Sequence, residues 1–308
     1  MKAAVVTSFD SAPQCLDRPE PVADGGSIVV DLVAAGLHPR VRSQADGSHY
    51  TSTDALPLVP GIDGVGRDAE GALRYFVLPD TDAGSMSERV LIDPRRSVVL
   101  PEDADPLAIA AGMNPAMSSW VALRRRIDFA GGTVLVTGAS GNAGRMAIQV
   151  ARHLGASEVF GVARSRHDLV AHLGATPIAF DDDEGIAKAS DVDVVLDYVW
   201  GEPAAELIAA LITAREDRGR RLDWVEIGSM GGLVAPIPSA ALRASGLTLV
   251  GSGQGSVDTR DILAELPAIA TALNDGTIAV NARTVPLRDV EQEWTRVPAS
   301  DERVVIVP

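Results

Sequence analysis

The chain is poor in cysteine, because Cys15 is the only one among its 308 residues. A single cysteine excludes an internal disulfide framework, and it also excludes a metal centre built from several thiolates. Aromatic residues are scarce at 4%, whereas hydrophobic residues make up 46% of the chain. The sequence therefore predicts a globular protein whose core consists mainly of Ala, Val, Leu and Ile, with room for two domains.

Positive charge is also in short supply. Lys and Arg total 27 against 42 Asp and Glu, which gives a formal net charge of −15. This acidic balance argues against nucleic acid and anionic membrane surfaces as partners, because both present phosphate. No apolar run is long enough to span a bilayer, and Met1-Lys2-Ala3 leads directly into a predicted strand, not a signal peptide. We therefore expect a cytoplasmic protein with no nucleic-acid or membrane partner.

The most informative motif is a glycine turn between an apolar strand and a helix. Strand 133–137 leads into Gly138, Gly141 and Gly144, with the spacing Gly-x-x-Gly-x-x-Gly. Gly138 allows a sharp turn, Gly141 lets phosphates approach the backbone, and Gly144 lets the helix pack on the strand. Such a turn presents N–H groups and the positive end of a helix dipole to a diphosphate. A purely structural turn is the alternative, but the flanking strand and helix favour dinucleotide binding.

Basic residues follow the next strand, 158–163. Arg164, Ser165 and Arg166 come directly after it, and the first acidic residue is Asp168. NAD-binding proteins place an acidic residue near this point to bind the ribose 2′-hydroxyl, whereas two guanidinium groups and a hydroxyl suit a 2′-phosphate. A solvated basic loop is the alternative. Because the chain as a whole is strongly acidic, the cluster favours NADP(H) over NAD(H).

Strand and helix patterns alternate through the middle of the chain. The predicted strands lie at residues 133–137, 158–163, 177–180, 192–198, 223–228 and 247–252, with helical patterns between them. This alternation predicts an α/β fold built on a Rossmann doubly wound parallel sheet.

The two ends of the chain have a different pattern. Short strands separated by turn residues are predicted at 3–7, 27–35, 64–67, 73–78, 86–92 and 97–100. A helical pattern begins at Asp105, and Asn114-Pro115 is predicted to interrupt it because proline lacks the N–H of a helix interior. A helix near 259–273 and an apolar strand at 304–307 follow, and that strand is expected to return to the β-rich first unit.

Taken in order, these features resemble the medium-chain dehydrogenase/reductase superfamily, in its zinc-free quinone-reductase branch that includes zeta-crystallin. The matching landmarks are Met1-Lys2-Ala3, residues 35–39 (Ala-Gly-Leu-His-Pro), residues 58–66 (Leu-Val-Pro-Gly-Ile-Asp-Gly-Val-Gly), residues 133–156 and residues 251–255 (Gly-Ser-Gly-Gln-Gly). The resemblance covers nearly the whole chain.

The resemblance implies a domain organisation. Residues 1–116 and 263–308 would form a β-rich, GroES-like catalytic domain, and residues 117–262 a Rossmann NADP-binding domain. The substrate cleft would lie between them. The resemblance also implies a homodimer joined edge to edge at strand 248–251.

Cofactor contacts are implied as well. Ser118 corresponds to a Thr that approaches the nicotinamide ribose, and Asn142 and Ala143 supply N–H groups to the diphosphate. Other candidates lie at the carboxyl ends of parallel strands, where open α/β sheets bind ligands. The predicted cofactor-binding residues are Ser118, Gly138, Ser140, Gly141, Asn142, Ala143, Gly144, Arg164, Ser165, Arg166, Tyr198, Val199, Ile227, Gly228, Ser229, Gly251, Ser252 and Gly253.

A metal ion is not expected. Zinc-dependent relatives carry Cys where this chain has His38, and Gly-His-Glu where it has Gly61-Ile62-Asp63. Ile62 cannot bind a metal, and a catalytic zinc normally keeps three protein ligands. The chain also lacks the four cysteines of a structural zinc lobe.

Candidate catalytic residues cluster between His38 and Tyr50. By resemblance, His38 occupies the slot where quinone reductases carry Asn beside the nicotinamide, and Ser43 lies where many relatives have a bulkier polar residue. Tyr50 belongs to a Gly-x-x-Tyr turn that lines the cleft, either as an oxyanion donor or as an aromatic wall. Histidine ordinarily titrates near neutral pH, so His38 could donate a proton, line the cleft or close the turn before Pro39. Solvent is a further proton source, and His49 is expected at the surface.

These residues predict an NADPH-dependent, zinc-independent oxidoreductase that transfers a hydride to a quinone or an α,β-unsaturated carbonyl compound. Such acceptors delocalise charge onto oxygen as the hydride arrives, so no Lewis acid is needed. One alternative is an alcohol or ketone oxidoreductase of the same superfamily. Another is an NADPH-binding redox sensor without turnover.

Overall fold

A computed structural model describes residues 1–296 and 302–308. The described strands are β1 (Lys2–Val5), β2 (Gln14–Asp17), β3 (Ile28–Leu37), β4 (Asp63–Arg67), β5 (Leu73–Val77), β6 (Arg89–Ile92), β7 (Ser97–Val99), β8 (Gly132–Thr137), β9 (Ala156–Val162), β10 (Thr176–Ile178), β11 (Val194–Asp197), β12 (Leu222–Glu226), β13 (Leu247–Gly251), β14 (Ala282–Pro286) and β15 (Arg303–Val307). The described α-helices are α1 (Pro39–Ala45), α2 (Pro106–Val121), α3 (Asn142–His153), α4 (His167–His172), α5 (Asp183–Lys188), α6 (Gly201–Ala214), α7 (Ser239–Arg243), α8 (Thr259–Asn274) and α9 (Val290–Thr295).

The chain divides into two units, Met1–Asn114 with Leu266–Pro308 and Pro115–Glu265. Both changes of unit fall inside long helices, α2 and α8. No helix in the described part of the chain is both long and apolar enough to cross a membrane.

The second unit, Pro115–Glu265, contains a parallel sheet of six strands in the order β10-β9-β8-β11-β12-β13. Counted along this unit, the order is 3-2-1-4-5-6, which is the Rossmann arrangement. The order in which strands are added to the sheet reverses between β8 and β11. Ligands of such sheets bind at that switch point. The predicted α/β Rossmann fold is therefore confirmed.

The inner strands of the sheet are apolar enough to be buried on both faces, and α3 has an apolar side that packs against the sheet. Val134, Leu135 and Val136 in β8 are fully buried, as expected for a parallel strand covered on both sides. Helix α3 buries Met146 and Val150 on one face, together with small residues. This packing holds the amino terminus of α3 at the end of β8.

The first unit is built around a largely antiparallel sheet in the order β14-β15-β3-β4-β5-β7, with β6 also paired to β3. Strands β1 and β2 form a separate antiparallel pair. The C-terminal strand β15 pairs with β3, where Val304 lies opposite Leu37, so it returns to the first unit as its sequence indicated. The presence of a β-rich unit separate from the Rossmann unit agrees with the predicted fold class.

The predicted interruption of α2 at Pro115 is wrong. The helix runs through this residue without a break. Proline cannot donate to the carbonyl oxygen four residues earlier, which belongs to Ala111. The side chain of Arg303 approaches that oxygen instead, with Nε at 3.3 Å. A long-range donor therefore replaces the missing backbone hydrogen bond.

Two strands were not predicted, β2 and β14. β2 has no buried residue and so lacks the apolar alternation that identifies a strand. β14 reads Ala-Arg-Thr-Val-Pro, and only Val285 is buried. Both form because neighbouring strands supply hydrogen-bond partners, which short polar sequences do not reveal.

Candidate cofactor and active site

The glycine turn lies at the switch point of the Rossmann sheet. Gly138 has a φ of +62°, a conformation that favours glycine, and Gly141 precedes the first residue of α3. A Cβ on Gly144 would lie 2.8 Å from the Cα of Ala139 and closer still to the carbonyl oxygen of Gly138. Only glycine fits at Gly144, so the helix can approach the turn closely.

The first turn of α3 has the features of a candidate anion-binding site. Its leading N–H groups have no acceptor within the helix, and they carry the positive end of the helix dipole. Ser140, Asn142 and Ala143 are all half-buried at this turn. The Asn142 side chain accepts a hydrogen bond from Arg145. The geometry fits a bound diphosphate.

The basic cluster lies at the carboxyl end of β9. Arg164 and Ser165 are exposed, and Arg166 is half-buried. Arg166 has a φ of +64°, a left-handed conformation that residues other than glycine adopt rarely. His167 fixes the turn through a contact of 3.0 Å between its Nε2 and the carbonyl oxygen of Ala163. The tip of β9 therefore presents cationic side chains next to the glycine turn's strand.

A residue that sequence reasoning missed, Asp197, organises the end of β11. Its fully buried carboxylate accepts hydrogen bonds from four donors. The donors are the Thr137 hydroxyl at 2.6 Å, the Val199 and Trp200 N–H groups at 2.9 and 3.1 Å, and the Trp224 indole at 3.0 Å. The only sequence signal is an acidic residue that closes an apolar strand.

This carboxylate shapes the segment after β11, which contains two predicted cofactor residues. Trp200 has a φ of +50° and a ψ of −162°, an unusual conformation for a bulky side chain. The N–H group of Trp200 is one of the donors to the Asp197 carboxylate. Strained backbone of this kind persists only where its surroundings hold it, and it clusters at binding sites.

Ser118 and Tyr198, both predicted cofactor residues, are in direct contact. Their hydroxyl oxygens are 2.9 Å apart, and the Ser118 hydroxyl also donates to the carbonyl oxygen of Pro115 at 2.8 Å. Burial raises the pKa of Tyr198 to about 12, so its phenol remains protonated near neutral pH. The Tyr198 hydroxyl is therefore the donor to Ser118.

The remaining predicted cofactor residues lie at or just after the carboxyl ends of β11, β12 and β13. Asp197, Glu226 and Gly251 lie opposite one another in register at the ends of their strands. Gly228 donates its N–H to the carbonyl oxygen of Asp197 at 3.1 Å, and Ser252 donates to that of Glu226 at 2.7 Å. Val199, Ile227, Ser229 and Gly253 flank these positions along the chain. Burial, with a smaller effect of the Asp197 carboxylate, raises the pKa of Glu226.

His38, in the first unit, is buried and immediately precedes α1. Its Nε2 is 3.2 Å from Oδ1 of Asp63, the first residue of β4. The other carboxylate oxygen of Asp63 accepts a hydrogen bond from Tyr75 at 2.7 Å. Sequence reasoning singled out His38 but missed Tyr75, because nothing in an apolar strand marks a tyrosine as a polar partner.

Ser43 and Tyr50 have different surroundings. The half-buried Ser43 donates its hydroxyl to the carbonyl oxygen of Arg40 at 3.1 Å, within the same helical turn. Tyr50 is 73% exposed, and its ring stacks on that of His49 with centroids 4.2 Å apart. Neither of these contacts involves His38.

His49, expected at the surface, is only partly exposed. The side chain is half-buried, and its Nδ1 lies 2.9 Å from the Thr51 hydroxyl. Burial, and to a smaller extent the positive charge of Arg40, lowers the pKa of His49 to about 4. A polar segment with a Gly-x-x-Tyr turn gave no sign of this burial.

Among residues 1–296 and 302–308, no three His, Cys, Asp or Glu side chains come together as possible metal ligands. The contact between His38 and Asp63 supplies two such groups. Ile62, which directly precedes Asp63, is an apolar side chain that packs against the core of the first unit.

Known proteins resemble this chain over its full length or over about half of it. A probable NADPH-dependent quinone reductase of Emericella nidulans is 32% identical over 359 aligned positions, covering all of both chains. A chloroplastic NADPH-dependent alkenal/one oxidoreductase of Arabidopsis thaliana is 28% identical over 192 positions, 56% of this chain and 50% of the relative. No family model matches the chain.

A solved structure is also similar to the chain over its whole length. The quinone oxidoreductase of Thermus thermophilus, also studied in complex with NADPH, superposes with a TM-score of 0.83 and 27% identity over the whole of both chains. The chain belongs to the medium-chain dehydrogenase/reductase superfamily, in its quinone oxidoreductase branch.

Proposed function

We propose that this protein is an NADPH-dependent oxidoreductase that transfers a hydride to a quinone or an α,β-unsaturated carbonyl compound. The observation that carries the proposal is the glycine turn at the switch point of the sheet, one strand away from Arg164 and Arg166. The relatives named above as an NADPH-dependent quinone reductase and an NADPH-dependent alkenal/one oxidoreductase support the same reaction. They do not favour an alcohol oxidoreductase or a sensor without turnover.

The glycine turn and the basic tip together suit NADP(H). The N–H groups of Asn142 and Ala143 would bind the diphosphate, and no side chain at Gly144 obstructs the close approach of helix and turn. Arg164, Ser165 and Arg166 would bind the ribose 2′-phosphate through charge-assisted hydrogen bonds. The reduced nicotinamide supplies the hydride when it is bound.

The strand ends would orient the rest of the cofactor. Tyr198 and Ser118, joined by their hydroxyl groups, would contact the nicotinamide ribose. The other residues at the carboxyl ends of the strands would line the rest of the cofactor site: Val199, Ile227, Gly228, Ser229, Gly251, Ser252 and Gly253. Asp197 holds the Tyr198–Trp200 segment in place through its backbone contacts, which reduces the conformational freedom lost on binding.

We propose that catalysis needs no metal ion. Hydride addition to a quinone or enone places negative charge on an oxygen atom, and a hydrogen-bond donor stabilises this charge as it develops. His38 is the candidate donor in the first unit, with Ser43 and Tyr50 as further candidates. The residue pattern supports the proposal, because Ile62 occupies the position at which zinc-dependent relatives carry a ligand.

The oligomeric state and the domain roles are part of the proposal. β13 pairs with β12 alone among the described strands of its sheet, so its outer edge has backbone groups available to a second copy. We expect a homodimer joined there, with a GroES-like catalytic first unit, a nucleotide-binding second unit and a cytoplasmic location. Sedimentation analysis should give twice the mass of one chain, and a monomeric mass would contradict the dimer.

A screen of acceptors tests the proposed function. Purified protein is mixed with NADPH or NADH and with quinones, enones and simple ketones in turn. We expect NADPH oxidation with quinones or enones, a weaker reaction with NADH, and little with ketones. Tight NADPH binding without oxidation by any acceptor would contradict the proposal.

A further inference from the structure

Three buried polar side chains form a cluster in the first unit. His38, Asp63 and Tyr75 are 4%, 1% and 0% exposed, and they come from the start of α1, from β4 and from β5. Buried ionisable groups are costly unless each is paired, so the contacts within such a cluster carry information about protonation.

Asp63 is the common acceptor of the cluster. Its Oδ2 lies 2.7 Å from the Tyr75 hydroxyl and its Oδ1 lies 3.2 Å from Nε2 of His38. Burial and the adjacent Asp63 carboxylate raise the pKa of Tyr75 well above its ordinary value, so the phenol keeps its proton and donates it. A carboxylate can only accept, and Nε2 of His38 must therefore carry a hydrogen.

The other ring nitrogen of His38 is without a partner. Nδ1 is buried and makes no hydrogen bond to any described residue. Nearly all buried polar atoms in proteins are paired, and an exception of this kind calls for an explanation, such as a catalytic role or a bound molecule. Because Nε2–H is committed to Asp63, only Nδ1 remains to interact with that group.

We propose that Asp63 and Tyr75 are positioning residues that hold His38 as the proton donor of the reaction. Tyr75 orients the Asp63 carboxylate, which fixes the position of the ring through Nε2–H. This assignment rests on the proposed function, because it names the donor for that same reduction.

In the proposed step, a proton passes from His38 to the reduced substrate. Hydride addition gives a quinone substrate two electrons and one hydrogen, and leaves negative charge on an oxygen atom of the product. The Nδ1–H bond of His38 then breaks, and an O–H bond forms on the product. The electron pair of the broken bond stays on Nδ1, which leaves a neutral ring with Nε2–H still bonded to Asp63. A proton from solvent restores the donor.

The test compares two acceptors whose products differ in basicity. Tetrachloro-para-benzoquinone gives a less basic product anion than para-benzoquinone does, so it depends less on a proton donor. With saturating NADPH, Asp63→Asn should lower kcat for para-benzoquinone by roughly 100-fold, a usual scale for general acid catalysis. For the tetrachloro compound the loss should be several times smaller, and the dissociation constant for NADPH should not change.

Tyr75→Phe keeps the buried ring and removes only the hydroxyl, so it is the variant with the smaller effect on folding. It should show the same selective loss, at roughly tenfold. Asp68→Asn is the matched control, because Asp68 pairs with Arg74 in the same sheet at 2.6 Å and lies outside the cluster. It should leave kcat for both quinones unchanged.

Nitrogen NMR of the imidazole, recorded with NADP⁺ bound, reports on the positioning independently of turnover. The His38 signal, assigned from its loss in His38→Asn, should show a proton on Nε2, and Asp63→Asn should change this distribution. Equal slowing of both quinones, no slowing, or an unchanged His38 signal would overturn the inference and leave the proposed function standing. Failure of the unmodified protein to oxidise NADPH with any quinone or enone would instead overturn the proposed function and the donor role with it.

Discussion

At the scale of the single residue, we propose different roles in cofactor binding for Asp197 and Arg164. The buried Asp197 carboxylate has every donor it needs from its own unit, so its contribution is to the shape of the site. The exposed Arg164 side chain contributes charge at the tip of β9. The sequence alone identifies Arg164 as a candidate, because a basic residue directly after this strand suits a ribose 2′-phosphate. The aspartate's role depends on partners that are 60 residues distant, such as Thr137.

Arg164→Asp should weaken NADPH binding selectively. A hydrogen bond between charged groups contributes about 1.5–3 kcal/mol, so the KM for NADPH should rise by roughly 10- to 100-fold. The KM for NADH should change little, because NADH lacks the 2′-phosphate. Steady-state kinetics with both cofactors measures this ratio. Arg218→Asp, the same charge change in an exposed turn before β12, is the control; equal effects of Arg164→Asp on both cofactors would contradict the role of Arg164.

His49 should make the protein less stable in mild acid. Its pKa is about 4 in the folded protein against an ordinary value of 6.5, so the unfolded chain takes up a proton first as the pH falls. The stability present above pH 6.5 is therefore lost between pH 6.5 and about 4. Allowing for the partial solvent exposure of His49, the loss should be roughly 1–2 kcal/mol.

Urea unfolding near neutral pH and near pH 5 measures this loss. His49→Asn is the comparison, because an amide oxygen can replace Nδ1 as the acceptor of the Thr51 N–H, at 3.2 Å. It should lose less stability over the same interval. Identical pH dependence in both proteins would show that His49 is not responsible.

Whole elements were predicted unevenly. The six parallel strands and α3 were found because apolar runs and a glycine turn mark them in the sequence. β2 and β14 were missed because their residues pair with distant strands and bury little. The uninterrupted α2 was also missed, because its donor to Ala111 comes from the other end of the chain. Sequence thus identifies elements with their own pattern, and misses those that depend on partners.

Gly144→Ala should separate α3 from the glycine turn. The added Cβ would meet backbone atoms of Gly138 and Ala139, which cannot move aside like a flexible side chain. Overpacking of this kind costs about 1–3 kcal/mol of unfolding free energy. The dissociation constant for NADPH should rise at least tenfold, measured by fluorescence titration.

Gly219→Ala is the control for Gly144→Ala. Its Cβ would meet only the end of the Asp217 side chain, at 3.2 Å. NADPH binding should be unchanged in this variant. Unimpaired binding by Gly144→Ala would contradict the close approach of helix and turn that the cofactor site requires.

Arg303→Met should destabilise α2 by removing the donor to Ala111. An unsatisfied buried carbonyl costs about 1–3 kcal/mol, measured as a loss of unfolding free energy in urea. Pro115→Ala restores a backbone N–H at the position that faces this carbonyl. In that background Arg303→Met should cost less, by about 1 kcal/mol, and strictly additive effects would contradict the compensation.

For the whole molecule, the sequence predicts the fold and a candidate nucleotide site more fully than the candidate catalytic residues. Rossmann strands, the glycine turn and the basic tip follow one another along a single stretch of chain, so spacing identifies them. The His38, Asp63 and Tyr75 cluster combines three elements, and its geometry follows from the pairing of β4 with β5. Exposure is equally hard to predict, as the exposed Tyr50 and half-buried His49 demonstrate.

Quinone reduction with NADPH deuterated at the transferred position tests the central claim most directly. The protein is first dialysed against a chelator, and the rate is compared with that of undialysed protein. We predict stoichiometric oxidation of NADPH, a slower reaction with the deuterated cofactor, and equal rates before and after dialysis. Absence of quinone-dependent oxidation, or activity that chelation abolishes and zinc restores, would contradict metal-independent hydride transfer.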